Sequence, residues 1–183
     1  MEKSCKIILI VISLILVIGL VVFLVLFLGK DKNAIKYGVL SEKFREIKSL
    51  STKELGNKIG GKVKVNTDGG FFTNTCCIRM SYAFNYAGYE FKQNEYGTTS
   101  SGGDGKYYIF RVKDFKSFLD DKYSSKKYIY QDKSKLDSKK GVIVFEDCNF
   151  STATGHVDLY NGNEVEGTGY FNECSTYTLY QFD

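Results

Sequence analysis

Cys76 and His156 are the residues of this chain whose types, taken together, could carry out acyl transfer. His156 is the only histidine, and an imidazole is the side chain that gives and takes a proton near neutral pH without any help from its surroundings. It follows Gly155 at the start of a strand-like stretch, where its ring could face a cleft at the end of a sheet. Cys76 begins a helical stretch, where the positive end of the helix dipole and free backbone N–H groups stabilise a thiolate and would stabilise an oxyanion. A helix-starting cysteine served by a histidine on a later strand is an arrangement used by cysteine hydrolases. The pair alone does not specify that chemistry, since a free cysteine more often behaves as a small buried hydrophobe.

The surrounding sequence predicts the elements that would hold these residues. Val39, Leu40, Phe44 and Ile47 recur at helical spacing. Ser51 followed by Glu54 reads as a capping box opening a second helix through Ile59, with Gly60-Gly61 ending it. Asn66 to Gly70 reads as a turn-rich loop. Ile78, Tyr82, Ala83 and Tyr86 share one face of a helix from Cys76 to Gly88, capped by Asn74 or Thr75. Asn94 to Lys106 is a polar loop whose glycines are too weak a signal for a phosphate cradle. Tyr107 to Val112 predicts a strand and Lys113 to Tyr123 a helix. Gly141 to Phe145 predicts a buried strand, and Asn161-Gly162 a tight hairpin between His156–Tyr160 and Asn163–Glu166. Thr176 to Phe182 closes the sheet. Helices first and an antiparallel sheet after them make an α+β domain over residues 39–183.

Composition bounds the rest. A net charge of +4 carried by scattered lysines gives no concentrated basic stripe, so nucleic acid is not an expected partner. Of the five cysteines none is spaced as C-x-x-C, which argues against a structural metal site, and no cofactor is called for. Cys148 and Cys174 could pair in an oxidising compartment, leaving Cys76 or Cys77 as the odd thiol, or both could be ordinary buried cysteines. From Ile7 to Leu28 only Ser13 and Gly19 interrupt an apolar run. At about 1.5 Å per residue it is long enough for a hydrocarbon core of about 30 Å. Without a small-x-small cleavage site it predicts a signal anchor over residues 1–29, a linker over 30–38, and a single-pass membrane protein with an extracytoplasmic domain, or a secreted one if the segment is cleaved.

Three blocks in order sharpen the chemistry. Asn74-Thr75-Cys76-Cys77-Ile78-Arg79-Met80-Ser81-Tyr82, the stretch Ser101 to Phe118, and Gly155-His156-Val157-Asp158-Leu159-Tyr160-Asn161-Gly162 together resemble the fourth family of type VI secretion amidase effectors. The resemblance runs from about Leu40 to the C-terminus. It implies a papain-like, NlpC-type fold and hydrolysis of the bond between γ-D-glutamate and meso-diaminopimelate in peptidoglycan. It also implies Cys76 as nucleophile, Cys77 at a variable position, and His156 as general base. A cognate immunity protein is implied as a partner if the producer is bacterial, and bacterial peptidoglycan as the substrate.

The chain departs from the family's pattern in two ways. Family members carry no export signal, whereas an apolar segment opens this chain, as in a domesticated or independently exported copy. The family's imidazole-orienting aspartate falls on Gly167 here. Glu166 is the nearest carboxylate, but a two-residue turn puts it on the hairpin face opposite His156 unless a bulge intervenes. Asp158 shares the face of His156 by period-two alternation and is the alternative; both could equally be solvated acids. Arg79 is a candidate for holding a substrate carboxylate, or a structural residue. Tyr82, Tyr107, Tyr108 and Tyr170 could line a groove or form core and rim. Two rival functions stand beside the amidase: a non-catalytic muropeptide-binding module and another cysteine acyl-transfer enzyme.

Overall fold

A computed structural model describes residues 15–20, 35–151 and 153–183. The chain divides into two compact units, 1–34 and 35–183. In the first, residues 15–20 are helical, and the rest of the predicted anchor lies outside the described residues. Among the described residues no helix is long and apolar enough to cross a membrane, so the single-pass arrangement expected from the apolar run is corrected. The second unit begins ahead of the predicted start at Val39, because Ile35 and Tyr37 are already buried in its core.

Four helices come first. Helix α1 (Tyr37–Arg45) buries Tyr37, Leu40, Ser41 and Phe44, the i, i+3, i+4, i+7 stripe of an amphipathic helix. Helix α2 (Thr52–Ile59) starts at the predicted capping box: Ser51 Oγ accepts from Glu54 N at 3.2 Å, and Ser51 N donates to Glu54 Oε2 at 2.7 Å. Gly60, at φ 74°, ends it, and α3 (Gly61–Asp68) starts at once where a loop is expected. A Cβ on Gly61 would stand 2.5 Å from the backbone of Gly102 and Gly103. The glycines of the polar loop therefore serve close packing, and Gly103 N donates to Ile59 O at 3.0 Å. Helix α4 (Cys76–Ala87) is buried on nearly every side and ends at left-handed Gly88, which marks it as the central helix.

Strands β1 (Thr99–Ser101) and β2 (Tyr107–Ile109) form a small antiparallel pair, followed by α5 (Val112–Tyr123). The main sheet comprises β3 (Lys127–Tyr130), β4 (Gly141–Cys148), β5 (His156–Tyr160) and β6 (Cys174–Gln181). Its order is β3-β6-β4-β5, all antiparallel. Alternation along β4 sends Val142 and Val144 to the helical core, and Ile143 and Phe145 to a second cluster on the other face with Tyr177 and Leu179. The predicted hairpin after β5 is corrected: its return arm makes only the isolated bridge Tyr160↔Val165. Cys148 and Cys174, opposite each other at the end of β4 and β6, form a disulfide.

Candidate active site

Strand β5 lies at an edge of the main sheet, and the N-terminus of α4 packs against it. Thr75 holds the N-cap position of α4 without a side-chain bond; Asn74 supplies the acceptor instead, its Oδ1 taking the Cys76 N–H at 3.1 Å. This placement sets the Cys76 thiol beside His156 on β5, close enough for each to shift the other's pKa. The backbone N–H of Val157 also favours the Cys76 thiolate. The bonds from Cys77, His156 and Val157 outweigh burial and hold the Cys76 thiol well below its ordinary pKa. Cys77 stays in the core, 3.8 Å from Cys76 sulfur to sulfur, and burial beside Cys76 pushes its thiol up.

His156 is 9 % exposed and packed between aromatic rings, with Tyr170 edge-on at 4.8 Å and Phe145 at 6.0 Å. Its Nε2 lies 3.2 Å from Asp158 Oδ2, two residues on and on the same strand face. Burial pulls the imidazole pKa down, but the bonds to Asp158 and Cys76 outweigh it and push it up to about 9. The Asp158 carboxylate is fixed in turn by three backbone N–H groups: Leu159 at 2.7 Å and Gly167 at 3.1 Å on Oδ1, and Thr168 at 2.9 Å on Oδ2. Such charge-assisted bonds orient a carboxylate strongly. Gly167 makes room for it, since a Cβ there would stand 2.3 Å from Asp158 Oδ2.

Glu166 is a correction. Its carboxylate points away from His156 and accepts from Tyr37 Oη at 2.6 Å, Ser41 Oγ at 2.5 Å and Arg45 Nε at 3.3 Å. Burial opposes its charge, yet these partners hold its carboxyl below the usual range. It therefore ties the loop after β5 to α1. Arg79 lines the cavity, but its two terminal nitrogens donate to the carbonyls of Ile47 and Leu50, the latter at 2.6 Å, so its fork is engaged in holding the α1–α2 turn. Tyr82 donates to Glu46, and Tyr108 is fully buried against Asp104; of the singled-out tyrosines only Tyr170 lines the site.

A cavity of about 370 Å³ opens over Cys76 and His156 and includes Phe44 and Lys48. A second, of about 300 Å³, lies beside Phe150 and shares Asn74, His156 and Tyr170 with the first. The first is lined by the thiol itself, and the second meets it across His156 and Tyr170. Sequence reasoning missed Lys48 and the amides of Val157, Gly167 and Thr168. Backbone donors carry no residue-type signal, and Lys48 has none that sets it apart from the other lysines. Among the described residues no group of three or more His, Cys, Asp or Glu side chains is arranged to hold a metal ion.

The family model for type VI secretion system amidase effector protein 4 matches residues 72–180, more than half the chain and all of the site. The chain belongs to that family. Solved structures agree with the effector 4 assignment. The Tae4–Tai4 effector–immunity complex from Salmonella Typhimurium is similar at 32% identity, covering 82% of this chain and 100% of that one, with a TM-score of 0.76. The corresponding complex from Enterobacter cloacae is 32% identical, covering 81% of this chain and 98% of that one, with a TM-score of 0.73. No curated protein sequence matches. As a member of the effector 4 family the chain is a peptidoglycan amidase, an antibacterial hydrolase of the papain-like α+β class.

Proposed function

We propose that this amidase is a DL-endopeptidase that hydrolyses the γ-D-glutamyl–meso-diaminopimelate bond of stem peptides by a Cys–His mechanism. The observation that supports it is the Cys76 thiol beside His156, with His156 Nε2 3.2 Å from Asp158 Oδ2, all three lining one cavity of about 370 Å³. The Cys76 sulfur attacks the γ-glutamyl carbonyl carbon. His156, as imidazolium, gives its proton to the departing diaminopimelate nitrogen, leaving a thioester on Cys76. The neutral imidazole then takes a proton from water, whose oxygen attacks the thioester and releases the glutamyl carboxylate and the thiolate. Asp158 positions His156 through Nε2, which leaves Nδ1 for the thiol. Lys48 and Arg79 give the cavity wall a positive character suited to the carboxylates of the stem peptide.

The relatives solved as effector–immunity complexes support a cognate immunity protein as a partner of this chain. Incubation of the protein with purified sacculi, followed by mass spectrometry of soluble fragments, tests the bond assignment. Fragments ending in γ-D-glutamate, with new free diaminopimelate amines, are expected. Cleavage at another stem-peptide bond would replace the assignment, and no cleavage would remove it.

A further inference from the structure

Cys77 makes and breaks no bond in the hydrolysis, yet it is held in contact with the reactive sulfur. We propose that Cys77 is a resolving thiol, which makes the Cys76–Cys77 pair a site of reversible oxidation by peroxides; this rests on the reading of Cys76 as the reactive thiolate. In the first step the Cys76 thiolate attacks one oxygen of hydrogen peroxide, giving a sulfenic acid and hydroxide, with the sulfur oxidised by two electrons. In the second the Cys77 thiol attacks the sulfenic sulfur, forming the S–S bond and releasing water. No further oxidant is needed.

Three features favour the second step. The sulfurs are 3.8 Å apart, already in contact. Cys76 and Cys77 are the first two residues of α4, whose backbone N–H groups have no intrahelical acceptor, so turning the peptide between them disturbs one carbonyl of the first turn and leaves the helix beyond it intact. Cys77 is 1 % exposed, so water and outside thiols are kept from competing for it, whereas Cys76 lines the cavity through which peroxide enters. Part of what pushes the Cys77 thiol up in pKa is the Cys76 thiolate beside it, and that part is removed once Cys76 becomes a sulfenic acid. The Cα atoms of neighbouring residues are about 3.8 Å apart, shorter than disulfides usually span, so the ring is strained and a dithiol reopens it.

The full chain is treated with hydrogen peroxide, digested with trypsin without reductant, and the peptide from Val65 to Arg79 is weighed. Loss of two hydrogens from that peptide is expected, with amidase activity lost in step and regained after dithiothreitol. In Cys77→Ser the same peptide should instead gain oxygen atoms, and the activity lost should not return. A wild-type peptide that gains oxygen as in Cys77→Ser, or stays unchanged, overturns the proposal. The mass is read without any assay of hydrolysis. A Cys76→Ala variant that stayed active would sink the nucleophile assignment, while the two-hydrogen loss in wild type would still decide whether the pair closes.

Discussion

Replacing Asp158 by asparagine removes one charge and exchanges one acceptor for a donor, and the surroundings decide which oxygen is exchanged. Oδ1 accepts from two backbone N–H groups, those of Leu159 and Gly167, whereas Oδ2 accepts from one, Thr168, and faces His156 Nε2. Turning the new NH2 toward Leu159 and Gly167 would set donor against donor twice. Turning it toward Thr168 and His156 does so once, so the amide settles there. The opposed pair at Thr168 costs about 1–3 kcal/mol of stability. His156 Nε2 must then accept, which moves its proton to Nδ1 and leaves no lone pair for the Cys76 proton. The equivalent tautomer error in a serine triad lowers kcat by about 10⁴, and a fall of that order is expected here. The assay is fragment release from sacculi, beside a thermal melt and an NMR titration. With a single histidine in the chain, the imidazole signals need no assignment, and the pKa should fall from about 9 toward its ordinary value. An Asp158→Asn enzyme with full activity and an unmoved imidazole titration would refute the positioning role.

Cys76→Ala and His156→Ala should each abolish fragment release, and the double variant should be no worse than either, because the pair acts as a unit; a Cys77→Ala enzyme that failed equally would contradict this. Glu166→Ala leaves the hydroxyls of Tyr37 and Ser41 without their buried acceptor, so a loss of about 3 kcal/mol and a melting point lower by roughly 10 °C are expected. At a temperature where that variant stays folded, kcat should be near wild type, and a loss as large as that of Asp158→Asn would restore Glu166 to the site. Activity should fall as pH rises through about 9, where His156 loses the proton it gives the amine, and on the acid side only below the lowered pKa of Cys76. The sign for stability follows: the raised His156 pKa contributes fully below the ordinary value of 6.5 and is lost through about 9, whereas the lowered Glu166 pKa contributes above the usual carboxylate range and is lost as pH falls. Melting curves across pH check both limbs.

Strong local signals in the sequence were those the fold obeys: the Ser51–Glu54 box, the Gly88 stop and the start of α4 at Cys76. Helix α3 was hidden because Gly60 and Gly61 read as a stop, when positive φ at these two glycines lets the chain turn and begin another helix. Strands β1 and β3 are too short for alternation to show, and the sheet alone makes them strands. The Asn161-Gly162 turn pointed to a hairpin that tertiary bonding overrides, since the returning segment gives its amides to Asp158 and its glutamate to α1. For the carboxylate beside the histidine, proximity to the family's aspartate position favoured Glu166, while period-two geometry favoured Asp158. Geometry was the better guide, because face sharing on a strand is a physical constraint and nearness in sequence across a loop is not.

The clasp between Glu166 and α1 also bears on how the enzyme is made. Tyr37 leaves the ribosome 129 residues before the glutamate that will accept its hydrogen bond, and the amides that fix Asp158 come at the same late point of synthesis. A nascent chain holding only α1 to α4 carries the thiol but has neither its base nor the partner for the polar face of α1. Contacts of such long sequence separation form late and slowly. The domain therefore closes only once nearly all of it has been synthesised, and no shorter nascent fragment contains a working hydrolase.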